Sequence, residues 1–150
     1  MGQEGMLGWG AVIARLVGGV EATLEGDPER PRWLGNLGSG FRVHYEGSRN
    51  LGDLEAAIAM SEAAVDATPR DNPDRLTWLR YLEMDLHELE SAVRATPEGD
   101  TDRASGMSML GVHLGKRYEQ TGNLADLDAA IEKFEEAVEA TPEGHPDRAG

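Results

Sequence analysis

Residues 95–103 read Ala95-Thr96-Pro97-Glu98-Gly99-Asp100-Thr101-Asp102-Arg103, and variants of this nine-residue phrase occur four times in 150 residues. The other copies run from Ala22 to Arg30, from Ala67 to Arg75 and from Ala140 to Arg148. The starts lie 45, 28 and 45 residues apart, and residues 22–75 align on residues 95–148 without a gap, with 26 of 54 positions identical. Self-similarity at this period marks stacked supersecondary units in place of a single globular core. The phrase reads as punctuation between helices. Its Thr-Pro step ends a helix, because proline clashes with the preceding turn and disfavours helix at the residue before it. Asp27 or Asn72 then serves as N-cap, with Pro28 or Pro73 at the first helical position and Glu29 or Asp74 at the positive end of the dipole. The recurring arginines are expected to pair with acids of a neighbouring helix, a modest surface effect.

Outward from the phrase, residues 101–142 hold two apolar periodicities. Leu110, Leu114 and Tyr118 mark a first helix, Gly122 suits a left-handed closing position, and Asn123 or Asp126 can cap a second. The second helix carries Leu127, Ala130, Ile131, Phe134, Ala137 and Val138 as its expected core stripe. Residues 31–67 repeat the plan with Leu37, Phe41 and Tyr45, then Leu54, Ala57, Ile58, Ala64 and Val65. The paired alanines Ala56-Ala57, Ala63-Ala64 and Ala129-Ala130 predict closely approaching helices. The middle unit is 17 residues short and lacks a counterpart of Tyr118–Asp126. Its Leu76, Leu79, Leu82, Leu86, Leu89 and Val93 predict one continuous helix where two should be. The expected fold is therefore all-α: antiparallel helix hairpins with the middle repeat shortened to one helix. Expected segments are a degenerate half-repeat over 1–30, repeats over 31–72 and 101–150, and the shortened one over 73–100. Regular stacking alternates helix direction, so residues 101–142 are expected not to continue the groove of residues 31–67.

Composition narrows the function. Net charge is −14, from 28 acidic against 14 basic residues, which disfavours nucleic acid and anionic membranes and would steer a basic or mixed-charge protein partner. Without cysteine there are no disulfides, thiolate metal sites or cysteine nucleophiles. No apolar run approaches the roughly 20 residues that span a bilayer, and Glu4 and Arg15 around the apolar Gly10–Ala14 argue against a signal peptide. The expectation is a cytoplasmic protein. His44, His87, His113 and His145 share no metal-ligand spacing. Gly111–Arg117 departs from a phosphate loop in spacing, ends in Arg117 and lies within a predicted helix. Asn123, Asp126 and Asp128 lack the glycine and the bidentate Glu of a calcium loop. No acid pair has a spacing recognisable for acid/base work. The reading is a non-enzyme with neither cofactor nor metal.

Helix pairs carrying Leu110-Gly111, Ala130, Phe134, Ala137 and Pro142 resemble the tetratricopeptide repeat. The run Tyr118-Glu119-Gln120-Thr121-Gly122-Asn123-Leu124-Ala125-Asp126-Leu127 is similar to the long, kinesin-light-chain-like repeats of fungal and actinobacterial multidomain proteins. The resemblance covers about residues 20–150 and is strongest over 95–148. It implies a TPR-like α-α solenoid that mediates protein–protein contact through a groove lined by the first helix of each pair. Carried onto this chain, the groove candidates are Asn36, Ser39 and Arg42, and Ser108, Val112 and Lys116. The family's carboxylate clamp is not matched, since Gly35, Ser39, Ser108 and Val112 stand where polar and basic groups are needed. Such arrays commonly accompany CHAT-type peptidases or nucleotide-binding immune-type ATPases, so a detached regulatory segment of a larger signalling protein is the alternative reading. Self-association through uncapped ends is a third.

Overall fold

The computed structural model describes the backbone of residues 2–141 and the side chains of residues 8 and 10–141. Six helices run through it: α1 (Gly2–Ala22), α2 (Arg30–Ser48), α3 (Leu51–Ala67), α4 (Asp74–Arg94), α5 (Thr101–Thr121) and α6 (Leu124–Ala140). Among the described residues the protein is all-α. The shortened repeat is indeed one uninterrupted helix, α4, of 21 residues, and the expected half-repeat forms α1, also 21 residues long. The last copy of the phrase beyond Thr141, His145 and the start of a further unit lie outside the described residues. The chain divides into two compact units, Met1–Asp85 and Leu86–Gly150, with the division inside α4.

The repeated phrase proves to be a connector built on one plan three times. Asp27, Asn72 and Asp100 each accept a hydrogen bond on the side chain from the N–H two residues on, at 2.9 Å. Their main-chain carbonyls accept from Arg30, Arg75 and Arg103 at 3.0–3.1 Å. Asp100 is thereby the N-cap of α5. By contrast, α2 begins at Arg30 with Glu29 at its N-cap, and α4 begins at Asp74. Asp27, Pro28, Asn72 and Pro73 therefore stand in the turn ahead of their helices and not, as expected, at the cap and first helical position. The arginines do something else. Arg30 donates to the carbonyls of Val20 and Thr23 at 3.0 and 2.7 Å. Arg75 donates to Val65 and Thr68 at 3.2 and 3.1 Å, and Arg103 to Arg94 and Thr96 at 3.2 and 2.8 Å. The contact that recurs in all three copies is with main-chain carbonyls at the end of the preceding helix. A helix end leaves its last carbonyls without partners, and a guanidinium satisfies two at once while complementing the dipole.

The α2–α3 and α5–α6 hairpins close alike. Their two-residue links, Arg49-Asn50 and Gly122-Asn123, force each pair to run antiparallel. Asn50 and Asn123 cap the second helix through the N–H groups of Gly52 and Ala125. Gly122 closes α5 at φ 73°, whereas Arg49 takes the same left-handed position at φ 56°.

In the first unit the core comprises Leu34, Leu37, Tyr45, Leu54, Ala57, Ile58, Ala64 and Val65, joined by Leu82 from the first half of α4. Leu76, expected on that stripe, is exposed. Helix α1 meets α2 where a Cβ on Gly19 would fall 2.3 Å from the Trp33 ring, so only glycine admits the approach. In the second unit Leu86, Leu89 and Val93 of α4 join Ala104, Met107 and Leu110 of α5 and Ala130 and Ala137 of α6. Leu114 and Tyr118 are half-buried. Of the paired alanines, Ala57, Ala64 and Ala130 are buried and Ala56, Ala63 and Ala129 half-buried.

Candidate interaction surface

The proposed groove residues fare differently in the two units. In the first, Asn36 is exposed and Ser39 half-buried, but Arg42 does not face an open groove. Its Nε and Nη2 reach the two carboxylate oxygens of Asp85 at 2.5 and 2.9 Å, and its guanidinium lies 5.1 Å from the Tyr81 ring centroid. Asp85 is fully buried and also accepts from Ser61 Oγ at 3.3 Å. Burial works against the Arg42 charge, but the Asp85 hydrogen bond and charge outweigh it and hold the guanidinium pKa above its ordinary value. The first half of α4, with Trp78 set against Gly35, therefore occupies the face where these candidates stand. Nothing in the local sequence around Arg42 announces this, because its partner lies 43 residues away.

In the second unit the matching face is open. By the 73-residue offset of the repeat, Ser108, Val112 and Gly115 stand where Gly35, Ser39 and Arg42 stand in the first unit. Val112 is 58% exposed, and a Cβ added at Gly115 would meet nothing within 4 Å. Ser108 and Lys116 are half-buried.

Helix α6 carries the larger correction. Its expected core stripe is split: Ala130 and Ala137 are buried and Leu127 half-buried, but Ile131, Phe134 and Val138 are exposed. The helix buries Asp126, Ala130, Lys133 and Ala137, while Leu124, Ile131, Phe134 and Val138 are 65%, 49%, 42% and 55% exposed. Their counterparts Ile58, Ser61 and Val65 in α3 are at most 1% exposed, and Leu51, the counterpart of Leu124, is half-buried. Sequence periodicity marks an apolar face but not what covers it; α3 has a covering helix and α6 has none among the described residues. Phe134 stays anchored on one edge, where a Cβ on Gly111 would lie 2.9 Å from its ring.

Charge is distributed around α6 with the same regularity. Asp128, Glu132, Glu135 and Glu139 recur at steps of four, three and four, and all are exposed. At 3.6 residues per turn they form a ridge beside the apolar seam, on the side away from the buried face. On the buried face, Lys133 Nζ sits 3.1 Å from Glu90 Oε1 and 3.8 Å from Glu136. Arg94 meets the same Glu90 oxygen at 3.1 Å. Burial pushes the Glu90 carboxyl up, but the hydrogen bonds and charges of Lys133 and Arg94 prevail and hold it below the ordinary carboxylate value.

Each unit also has a cleft at the end of its hairpin, of about 610 Å³ in the first and about 650 Å³ in the second. Glu25, Arg30 and Leu34 of the first recur as Glu98, Arg103 and Met107 in the second, which makes the clefts a by-product of the repeated connector. Equivalent, too, are the His44–Asp53 contact at 2.7 Å and the Arg117–Asp126 contact at 3.6 Å, both bracing the hairpin link. Among the described residues no group of three or more His, Asp or Glu is arranged to hold a metal ion, and no helix is long and apolar enough to cross a membrane. Comparison with family models, curated proteins and solved structures finds no match.

Proposed function

We propose that this chain is a non-catalytic helical-repeat scaffold of the tetratricopeptide type, which binds a protein partner by seating one of its helices on the α5–α6 hairpin. One observation carries the reading: the apolar seam of α6 is open, while the equivalent seam of α3 is buried. A contiguous apolar seam rimmed by polar residues is the usual signature of a protein-binding face, and a helix laid into such a seam is a recurrent recognition mode. Display of random 20-residue peptides against the purified chain tests it. The expected result is recovery of amphipathic helices that bind the parent and fail on the Ile131→Glu/Val138→Glu variant. Recovery of no peptide, or of peptides that bind both proteins alike, would sink the reading. Because Ile131 and Val138 are exposed, the variant is expected to melt within a few degrees of the parent.

A further inference from the structure

We infer that the occupant of the α5–α6 seat is a cationic amphipathic helix; the inference rests on the scaffold reading above and specifies the chemistry of its partner. The first unit provides the reference, since there the equivalent seat is filled and its chemistry is known. The seat offers Arg42, and the helix that fills it, α4, brings Asp85 to meet it. In the second unit Gly115 stands in the place of Arg42, and the nearest cation on the helix, Lys116 in the place of Val43, is half-buried. The ridge beside the seam has meanwhile gained an anion, because Glu132 stands where the first unit has Ala59. The one cation added to α6 in exchange, Lys133 for Met60, is buried and bound to Glu90 on the opposite side from the ridge.

The two seats thus share an apolar seam and differ in the sign of charge they ask for. The seam from Leu124 to Val138 spans four turns, about 21 Å at 1.5 Å per residue. A complementary helix carries apolar residues at steps of three and four over that length and Lys or Arg along one flank, facing Asp128, Glu132, Glu135 and Glu139. A second copy of this chain is the wrong occupant on charge, since both partners carry −14. The exposed flank pairs contribute orientation and association rate more than affinity, which the seam supplies.

The test uses the whole chain and two labelled peptides of about 20 residues with the same leucine seam, one bearing lysines on its flank and the other glutamates, read by fluorescence anisotropy. The lysine peptide is expected to bind about tenfold or more tightly than its glutamate twin, and to weaken as salt rises from roughly 50 to roughly 300 mM. In Glu132→Lys/Glu135→Lys, which leaves Asp128 and Glu139 balanced by two lysines, the preference is expected to be lost. The Ile131→Glu/Val138→Glu variant separates a seat from unspecific attraction, because it is more negative yet is expected to lose the lysine peptide. Retention of that peptide by this variant overturns the inference. Equal binding of both peptides also overturns it while leaving the scaffold reading intact. Binding of neither peptide overturns both, as does a sedimentation profile in which copies of the chain fill the seat themselves.

Discussion

Arg103 and its counterparts Arg30 and Arg75 show how one side chain can join two helices through main-chain carbonyls. The Arg103 guanidinium holds two terminal carbonyls of the α4 end, so Arg103→Ala strands acceptors at a helix end and removes charge-assisted hydrogen bonds. The expected loss is about 1–2 kcal/mol in urea unfolding. Arg32→Ala, which removes an ion pair exposed on both sides, is expected to stay within about 0.5 kcal/mol; equal losses would mean that the carbonyl contacts contribute nothing special. The Arg42–Asp85 pair obeys a different rule. Asp85→Asn leaves a half-buried guanidinium without its counter-charge and is expected to cost about 3 kcal/mol. Removing both charges, as Arg42→Met/Asp85→Leu, is expected to restore most of that stability, since burying two ions already costs desolvation. An additive double variant in the same unfolding experiment would show that the pair is not coupled.

At the scale of elements, α4 and α6 mark what could and could not be read in advance. The connectors and the single long α4 were legible because proline, capping residues and leucines at steps of three and four act locally. The fate of the α6 stripe was not legible. Leu127, Ile131, Phe134 and Val138 have the spacing of a core face, and only the comparison with α3 shows that a core face needs a covering helix. Among the six groove candidates, Val112 proved exposed beside an open glycine, whereas Arg42 proved committed to a partner distant in sequence. Lys133 lies buried between α6 and the second half of α4 through Glu90. That contact makes a pH prediction. The Glu90 carboxyl is held below its unfolded value, so its contribution is fully present above that value and is lost as pH falls through the depressed one. Thermal melts are expected to show a smaller acid-side loss of stability in Glu90→Gln than in the parent. Identical acid limbs would remove the network from the account.

For the molecule as a whole, the decisive quantity is the charge of −14. Self-repulsion in the folded state is screened by salt, while the apolar cores and carbonyl contacts are not weakened by it. The melting temperature is therefore expected to rise by several degrees between roughly 20 mM and roughly 0.5 M sodium chloride. A falling melting temperature would show that surface ion pairs outweigh the repulsion. The same excess of acid distinguishes the two hairpins: a repeat that has filled its seat from within the chain balances its charge locally, and one with an open seat displays its surplus.

Only two lysines occur in the sequence, Lys116 and Lys133, and the amine of Lys133 is sealed against Glu90 and Glu136 with its side chain 6% exposed. An acylating reagent thus reaches the Lys133 amine only when the second unit opens. The slow step of Lys133 labelling becomes an intrinsic clock for that opening, and a helix settling on the outer face of α6 would slow the clock without covering the lysine itself.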